Sequence, residues 1–214
     1  MQTYTLSRGN VLSRIYLGFF ASLATAAVGL YVGQYVPPGL FMPLVLVEMV
    51  MIIAAMFIQR ARRIGMTFVL VFTFISGMTL FPVIAAYTTM LGATTVLEAV
   101  GVSAGAFLVA ALVASRTEND FRFLGGFLMI ALVALLLMGL VSFFVGYSST
   151  FQLGYSVLGI AVFIGYVLFD INRIARHGVA VEQVPWVVLS LYLDFINLLL
   201  FVLRLLGVLQ SNRR

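Results

Sequence analysis

Seven apolar stretches, each about 20 residues long, leave this chain one kind of environment in which to fold. They run Ile15–Val36, Leu40–Ile58, Ile64–Tyr87, Thr94–Ala114, Phe121–Phe144, Phe151–Phe169 and Pro185–Leu209. A hydrocarbon core ~30 Å thick is crossed by such a length of α-helix, the conformation that pairs every backbone N–H and C=O within its own segment. The fold class expected is an all-α membrane protein with seven transmembrane helices, residues 1–214 forming a single helical bundle domain. Composition points the same way: 63% of the residues are hydrophobic and 9% charged, with a mean hydropathy of +1.16. A soluble domain carries about a quarter charged residues to cover itself, so this surface must face lipid.

The breaks between the runs carry turn chemistry or charge. Pro37-Pro38-Gly39 ends the first run, Gln59-Arg60-Ala61-Arg62-Arg63 the second, Gly146 to Thr150 the fifth and Arg173 to Gln183 the sixth. Pro185 suits an early position of the last helix, where its missing N–H costs little. The first run follows Arg8 and Arg14, but its 22 apolar residues exceed the roughly 7–15 of a cleavable signal, so it reads as a retained helix.

All 12 basic residues are arginine. Without lysine, a retinal Schiff base is excluded; without cysteine, disulfides, thiolate metal sites and cysteine nucleophiles are excluded as well. The high pI does not indicate nucleic acid, because the arginines are scattered among connections rather than clustered on one element. They fall on alternate connections: Arg8 and Arg14; Arg60, Arg62 and Arg63; Arg116 and Arg122; Arg173 and Arg176. The connections near Pro37, Gly92 and Ser148 have none. By the positive-inside rule the N-terminus is cytoplasmic and the C-terminus outside; a plasma membrane of bacterial type is the location expected. Arg213 and Arg214 count weakly against this orientation.

Ionisable groups inside the runs carry the chemistry, because each costs at least a few kcal/mol in lipid without a partner or water. They are Glu48, Asp194 and Arg204, with Asp170 directly after the sixth run where the helix continues; Glu98, about one turn from a helix start, reaches the interface. At 100° per residue, Ser190, Asp194, Asn197 and Arg204 fall within about 80° of one another on the last helix. Such a stripe must be covered by other helices, either as a polar seam that glues them together or as a working site. Glu48 and Arg204 are candidates for a buried pair, with protonated, hydrogen-bonded Glu48 as the alternative. Together with Ser190 and Asn197 they are read as buried polar support. His177, the single histidine, reads as a solvated loop residue.

The sixth and seventh helices form an antiparallel hairpin, so Asp170 and Asp194 lie towards the same membrane face. At ~1.5 Å per residue they stand ~9 Å and ~14 Å from their helix ends, a mismatch that helix tilt absorbs. Alternatively, Asp170 is interfacial and pairs with Arg173 three residues on. Two carboxylates meeting in low dielectric do not both ionise cheaply, so such a pair senses protons. Ionised, it offers hard oxygen ligands to calcium. A nearby arginine could replace the cation and latch the site; Arg60, Arg62 and Arg63 are the candidates.

Ser190-Leu191-Tyr192-Leu193-Asp194-Phe195-Ile196-Asn197-Leu198 closely resembles the last-helix motif of the transmembrane Bax-inhibitor-motif family. Phe169-Asp170-Ile171-Asn172 resembles its sixth-helix motif, and Ser76 to Pro82 its third-helix pattern. The agreement in helix number and length covers essentially the whole chain and is most like the family's bacterial calcium-leak members. The resemblance implies six helices around a central seventh and a pH-sensitive calcium leak with Asp170 and Asp194 as sensor and metal ligands. It also implies an arginine latch at the end of the second helix, where the register falls on Gln59 with Arg60 beside it. Calcium and protons would be the permeant or site ions, with no tightly bound cofactor and no nucleic-acid partner. A proton-coupled cation transporter using the same carboxylates and a non-conducting regulatory protein are the alternatives. An intramembrane aspartyl protease fits poorly, since Leu191-Tyr192-Leu193 precedes Asp194 where those enzymes resemble one another in glycine; the chain is not expected to be an enzyme.

Overall fold

A computed structural model describes residues 8–61, 64–142 and 144–212, excepting the side chains of 8–10 and 59–61. Seven α-helices follow in order: α1 Arg8–Gly33, α2 Phe41–Ala61, α3 Met66–Leu91, α4 Ala93–Arg116, α5 Leu124–Val141, α6 Ser149–His177 and α7 Val184–Ser211. Short 3-10 turns at Pro38–Leu40, Phe121–Phe123 and Val181–Gln183 lead into α2, α5 and α7. All seven helices are long and apolar enough to cross a membrane, and the chain is a multi-pass membrane protein.

Proline placement follows backbone chemistry. Pro43 and Pro185 stand in the first turns of α2 and α7, where the N–H has no intrahelical partner. Pro82 lies inside α3, a position membrane helices tolerate when neighbours satisfy the freed carbonyl. Gly92 alone separates α3 from α4, and its φ of 87° is one that a side chain would strain.

The sixth helix departs from expectation. It runs to His177, eight residues beyond Phe169, so His177 is its last residue rather than a loop residue, while Asp170 stands within the helix as a run to Arg176 implies. Arg176 places a positive charge at the negative end of the helix dipole, one residue before His177. Gly178 then stops the helix with a φ of 70°. At the fifth helix, a 3-10 turn takes up Phe121–Phe123, and the α-helix ends at Val141 rather than at Phe144.

The chain divides into two compact units. The first holds α1, α2, α3 up to Ala86 and α7 up to Tyr192. In it, a Cβ on Gly29 would stand 2.1 Å from the Phe74 carbonyl oxygen, and one on Gly77 2.1 Å from that of Ala26. Hydrogen in place of a side chain lets α1 and α3 pack backbone to backbone, the principal source of helix association where lipid removes the hydrophobic drive. Phe72 and Tyr192 meet edge to face at 6.3 Å in its core.

The second unit holds the end of α3, then α4, α5, α6 and the rest of α7. Phe201 of α7 lies over Gly159 of α6, where a Cβ would come within 2.3 Å of the ring. Phe163 stacks on the same Phe201 at 5.8 Å, and Phe195 meets Phe107 edge-on at 5.9 Å. The Phe201 contacts set α6 against α7, and the Phe107–Phe195 contact sets α4 against α7. Of the seven spans α7 is the most buried, 61% of its most apolar window, against 6% for α2. The exposed Met42, Leu46, Met49, Val50, Ile53 and Phe57 of α2 form a surface that only lipid or another apolar partner can cover.

Candidate functional site

Asp170 of α6 and Asp194 of α7 both belong to the second unit, and both are buried, with 3% and 5% of their surface exposed. The charge of Asp170 acts on Asp194, and Tyr166, one helical turn before Asp170, feels both carboxylates. Asp170 Oδ1 stands 3.5 Å from Arg173 Nη2, so the pairing with Arg173 is present, between a buried carboxylate and a part-exposed guanidinium. The Arg173 guanidinium also lies 5.7 Å from the centre of the Phe169 ring. Asp194 Oδ2 is buried with no hydrogen-bond partner among the described residues. A buried acceptor in that state is costly unless it holds a proton or meets a cation or a water.

The stripe of α7 is covered as its composition requires: Asp194 is buried and Ser190, Asn197 and Arg204 are half-buried. Asn197 Nδ2 donates to the Leu193 carbonyl of its own helix at 2.7 Å. Glu48 and Arg204 belong to different units, and each has a partner within its own. Glu48, in the first unit, accepts a 2.7 Å hydrogen bond from the Thr79 hydroxyl. Arg204, in the second, lies over the Tyr155 ring at 4.7 Å. Arg62, Arg63 and the side chain of Arg60, the latch candidates, lie outside the described residues.

The end of α6 beyond Asp170 holds the connection from α4 to α5, which sequence reasoning missed. Asn172, 1% exposed, donates from Nδ2 to the carbonyls of Ala114 and Asn119 at 3.2 and 3.0 Å. Its Oδ1 accepts the Phe121 backbone N–H at 3.0 Å. Arg176 donates to the Glu118 carbonyl, and His177 Nε2 stands 3.5 Å from Asp120 Oδ2. Asp120 also accepts from the Arg122 backbone N–H at 3.0 Å and from its Nε at 2.9 Å. The backbone N–H of Arg122, foremost, and then its guanidinium and His177 hold the Asp120 carboxyl below the usual carboxylate range, against a smaller desolvation effect. Tyr166 carried a readable signal, four residues from Asp170 on the same face; Asn172 did not, because its partners are more than fifty residues away.

Two buried carboxylates, one with an oxygen that has no hydrogen-bond partner among the described residues, do not make a closed cation cage. A calcium cage takes roughly 6–8 oxygens, and no group of three or more His, Asp or Glu converges among the described residues.

Residues 8–212 match the protein family described as Inhibitor of apoptosis-promoting Bax1. The chain is 38% identical to Bax inhibitor 1 of Schizosaccharomyces pombe over 145 residues, 68% of this chain and 53% of that protein, so the match spans about half of that relative. It is 28% identical to an uncharacterized membrane protein of Vibrio cholerae over 97% of this chain and 93% of the relative. A Golgi anti-apoptotic protein of vaccinia virus is 34% identical over 67% of this chain and 57% of its own length. With seven membrane-spanning helices and a family match running from the start of α1 almost to the chain end, the protein belongs to the Bax1-inhibitor family of membrane proteins.

Proposed function

We propose that this protein is a pH-sensitive calcium leak channel, with Asp170 and Asp194 as its proton sensor and as the ligands that a passing calcium ion meets. The observation that carries the reading is the burial of two electrostatically coupled carboxylates on consecutive membrane helices, one of them with an unpartnered oxygen. In a medium of low dielectric the fully ionised pair is unfavourable, so a shared proton and a divalent cation compete for the same oxygens. The Arg173 ion pair adds a third competitor, because a cation taken up at Asp170 must displace a guanidinium 3.5 Å away. Helices α6 and α7 run unbroken through this region, which suits gating by side-chain exchange better than a transporter built on broken helices. The alternation of arginines supports a cytoplasmic N-terminus and an external C-terminus.

The test is calcium entry into dye-loaded liposomes at two pH values. Asp194→Asn is expected to abolish the pH dependence and Asp170→Asn to raise the resting leak. An Asp194→Asn profile that overlays the wild type removes the sensor. The family's latch is tested by charge reversal at Arg60, Arg62 and Arg63, and three variants with unchanged flux eliminate it. A regulatory role without conduction is the second reading, favoured by relatives named Bax inhibitor 1 and Golgi anti-apoptotic protein; absence of flux in every wild-type liposome preparation would select it.

A further inference from the structure

We propose that Arg204 and the cavity it lines bind a phosphate oxyanion, at a site separate from the aspartates. The cavity, of about 340 Å3, lies within the second unit, where the end of α3, the start of α6 and the C-terminal part of α7 meet. Arg204 is ten residues beyond Asp194, ~15 Å along α7, and seven before the helix end at Ser211. The site therefore sits near the end of the span, within reach of the membrane interface.

Charge is the first argument. Arg204 is half-buried in a membrane helix, and no carboxylate pairs with it among the described residues. A guanidinium in that position calls for an anion or a water-filled cavity. The walls offer hydroxyl and amide donors and no acid: Ser149, Gln152, Ser211 and Tyr87 line the space with Arg204. Geometry is the second. The Tyr155 ring takes the face of the guanidinium at 4.7 Å, which leaves its in-plane N–H fork available for bidentate contact with an oxyanion. Gln152 is held in place by one N–H on the Tyr147 carbonyl at 3.1 Å, and its second N–H is available. Ser149, the first residue of the 29-residue α6, brings the positive end of that helix to the same cavity. Size is the third: the volume exceeds what one phosphate fills, leaving room for an ester substituent or water. A lipid headgroup and a free phosphate share this chemistry.

The experiment uses the full chain in detergent, reading the thermal unfolding midpoint. One arm titrates inorganic phosphate against chloride at equal ionic strength. The other adds phosphatidylglycerol to the micelles against a neutral glycolipid with the same acyl chains. A concentration-dependent rise is expected in at least one phosphate arm, with apparent affinity roughly tenfold weaker in Arg204→Gln. Arg204→Lys, which keeps the charge and loses the fork, is expected between the two. Gln152→Leu leaves the arginine in place and should also weaken binding, so a poorly folding Arg204 variant does not stall the test. A response to phosphatidylglycerol alone assigns a lipid headgroup, and one to inorganic phosphate alone a soluble anion. Equal effects of chloride and phosphate without a response to phosphatidylglycerol, or equal binding by the wild type and all three variants, overturn the site.

Discussion

Asn172 offers a sharp test of how the region below the aspartates is held together. Its side chain makes three hydrogen bonds, donating to Ala114 and Asn119 carbonyls and accepting from the Phe121 N–H. Asn172→Leu keeps the branched heavy-atom skeleton, at a larger volume, and removes all of them. At about 1 kcal/mol net per bond the loss is about 3 kcal/mol. Groups left buried without partners push it higher and rehydration of the 117–121 connection pulls it lower, so about 2–4 kcal/mol is expected. Asn172→Asp refines the argument. It retains an acceptor for Phe121 but turns a lone pair and a charge towards two carbonyls, and should destabilise at least as much. Unfolding in mixed micelles gives the energy, and hydrogen exchange at the Phe121 amide gives the local effect. If Asn172→Leu stays within about 0.5 kcal/mol of the wild type and Phe121 exchanges at its original rate, the clamp is not what holds this connection.

Three further outcomes are expected. Asp120 has a depressed carboxyl pKa in the folded chain, so its contribution is present above the ordinary carboxylate value of about 4 and is lost as pH falls through the lower folded value; protection of the 117–123 connection should drop only below about pH 4, and an unchanged drop in Asp120→Asn refutes this assignment. Gly159→Val places methyl groups where the Phe201 ring lies and should cost roughly 1–3 kcal/mol through overpacking, with wild-type stability as the contrary result. For Glu48 and Thr79, a double-mutant cycle with Glu48→Gln and Thr79→Val should show coupling of about 1 kcal/mol or more, and coupling indistinguishable from zero shows that the 2.7 Å contact contributes nothing.

The helices were legible because lipid imposes length and apolarity on every span, and these survive in sequence however the helices pack. The end of α6 was harder. Asp170, Asn172 and Arg173 look like a helix leaving the membrane, whereas burial at the first two and an ion pair at the third keep it going to His177. The Gly178 stop was readable as a helix-ending glycine after two basic residues. Asp170 and Asp194 were legible as costly charges in apolar runs. Thr79 as the partner of Glu48 and Tyr155 as that of Arg204 were not, since each contact joins helices far apart in the chain. Hydropathy ranks residues by their cost in lipid and carries no information about which neighbour offsets it.

The one-residue junction at Gly92 has a consequence for how this chain enters a bilayer. Its N–H closes the last turn of α3 on Thr88, and its carbonyl receives Val96 of α4, so neither backbone group is left over for an extended loop. Two successive spans joined by a single residue leave no length of chain for a separate loop segment, which favours their entry into the bilayer together. The same economy leaves proteases, epitope tags and glycan acceptors no purchase at that corner, where even a short insertion should disrupt the junction before it labels it.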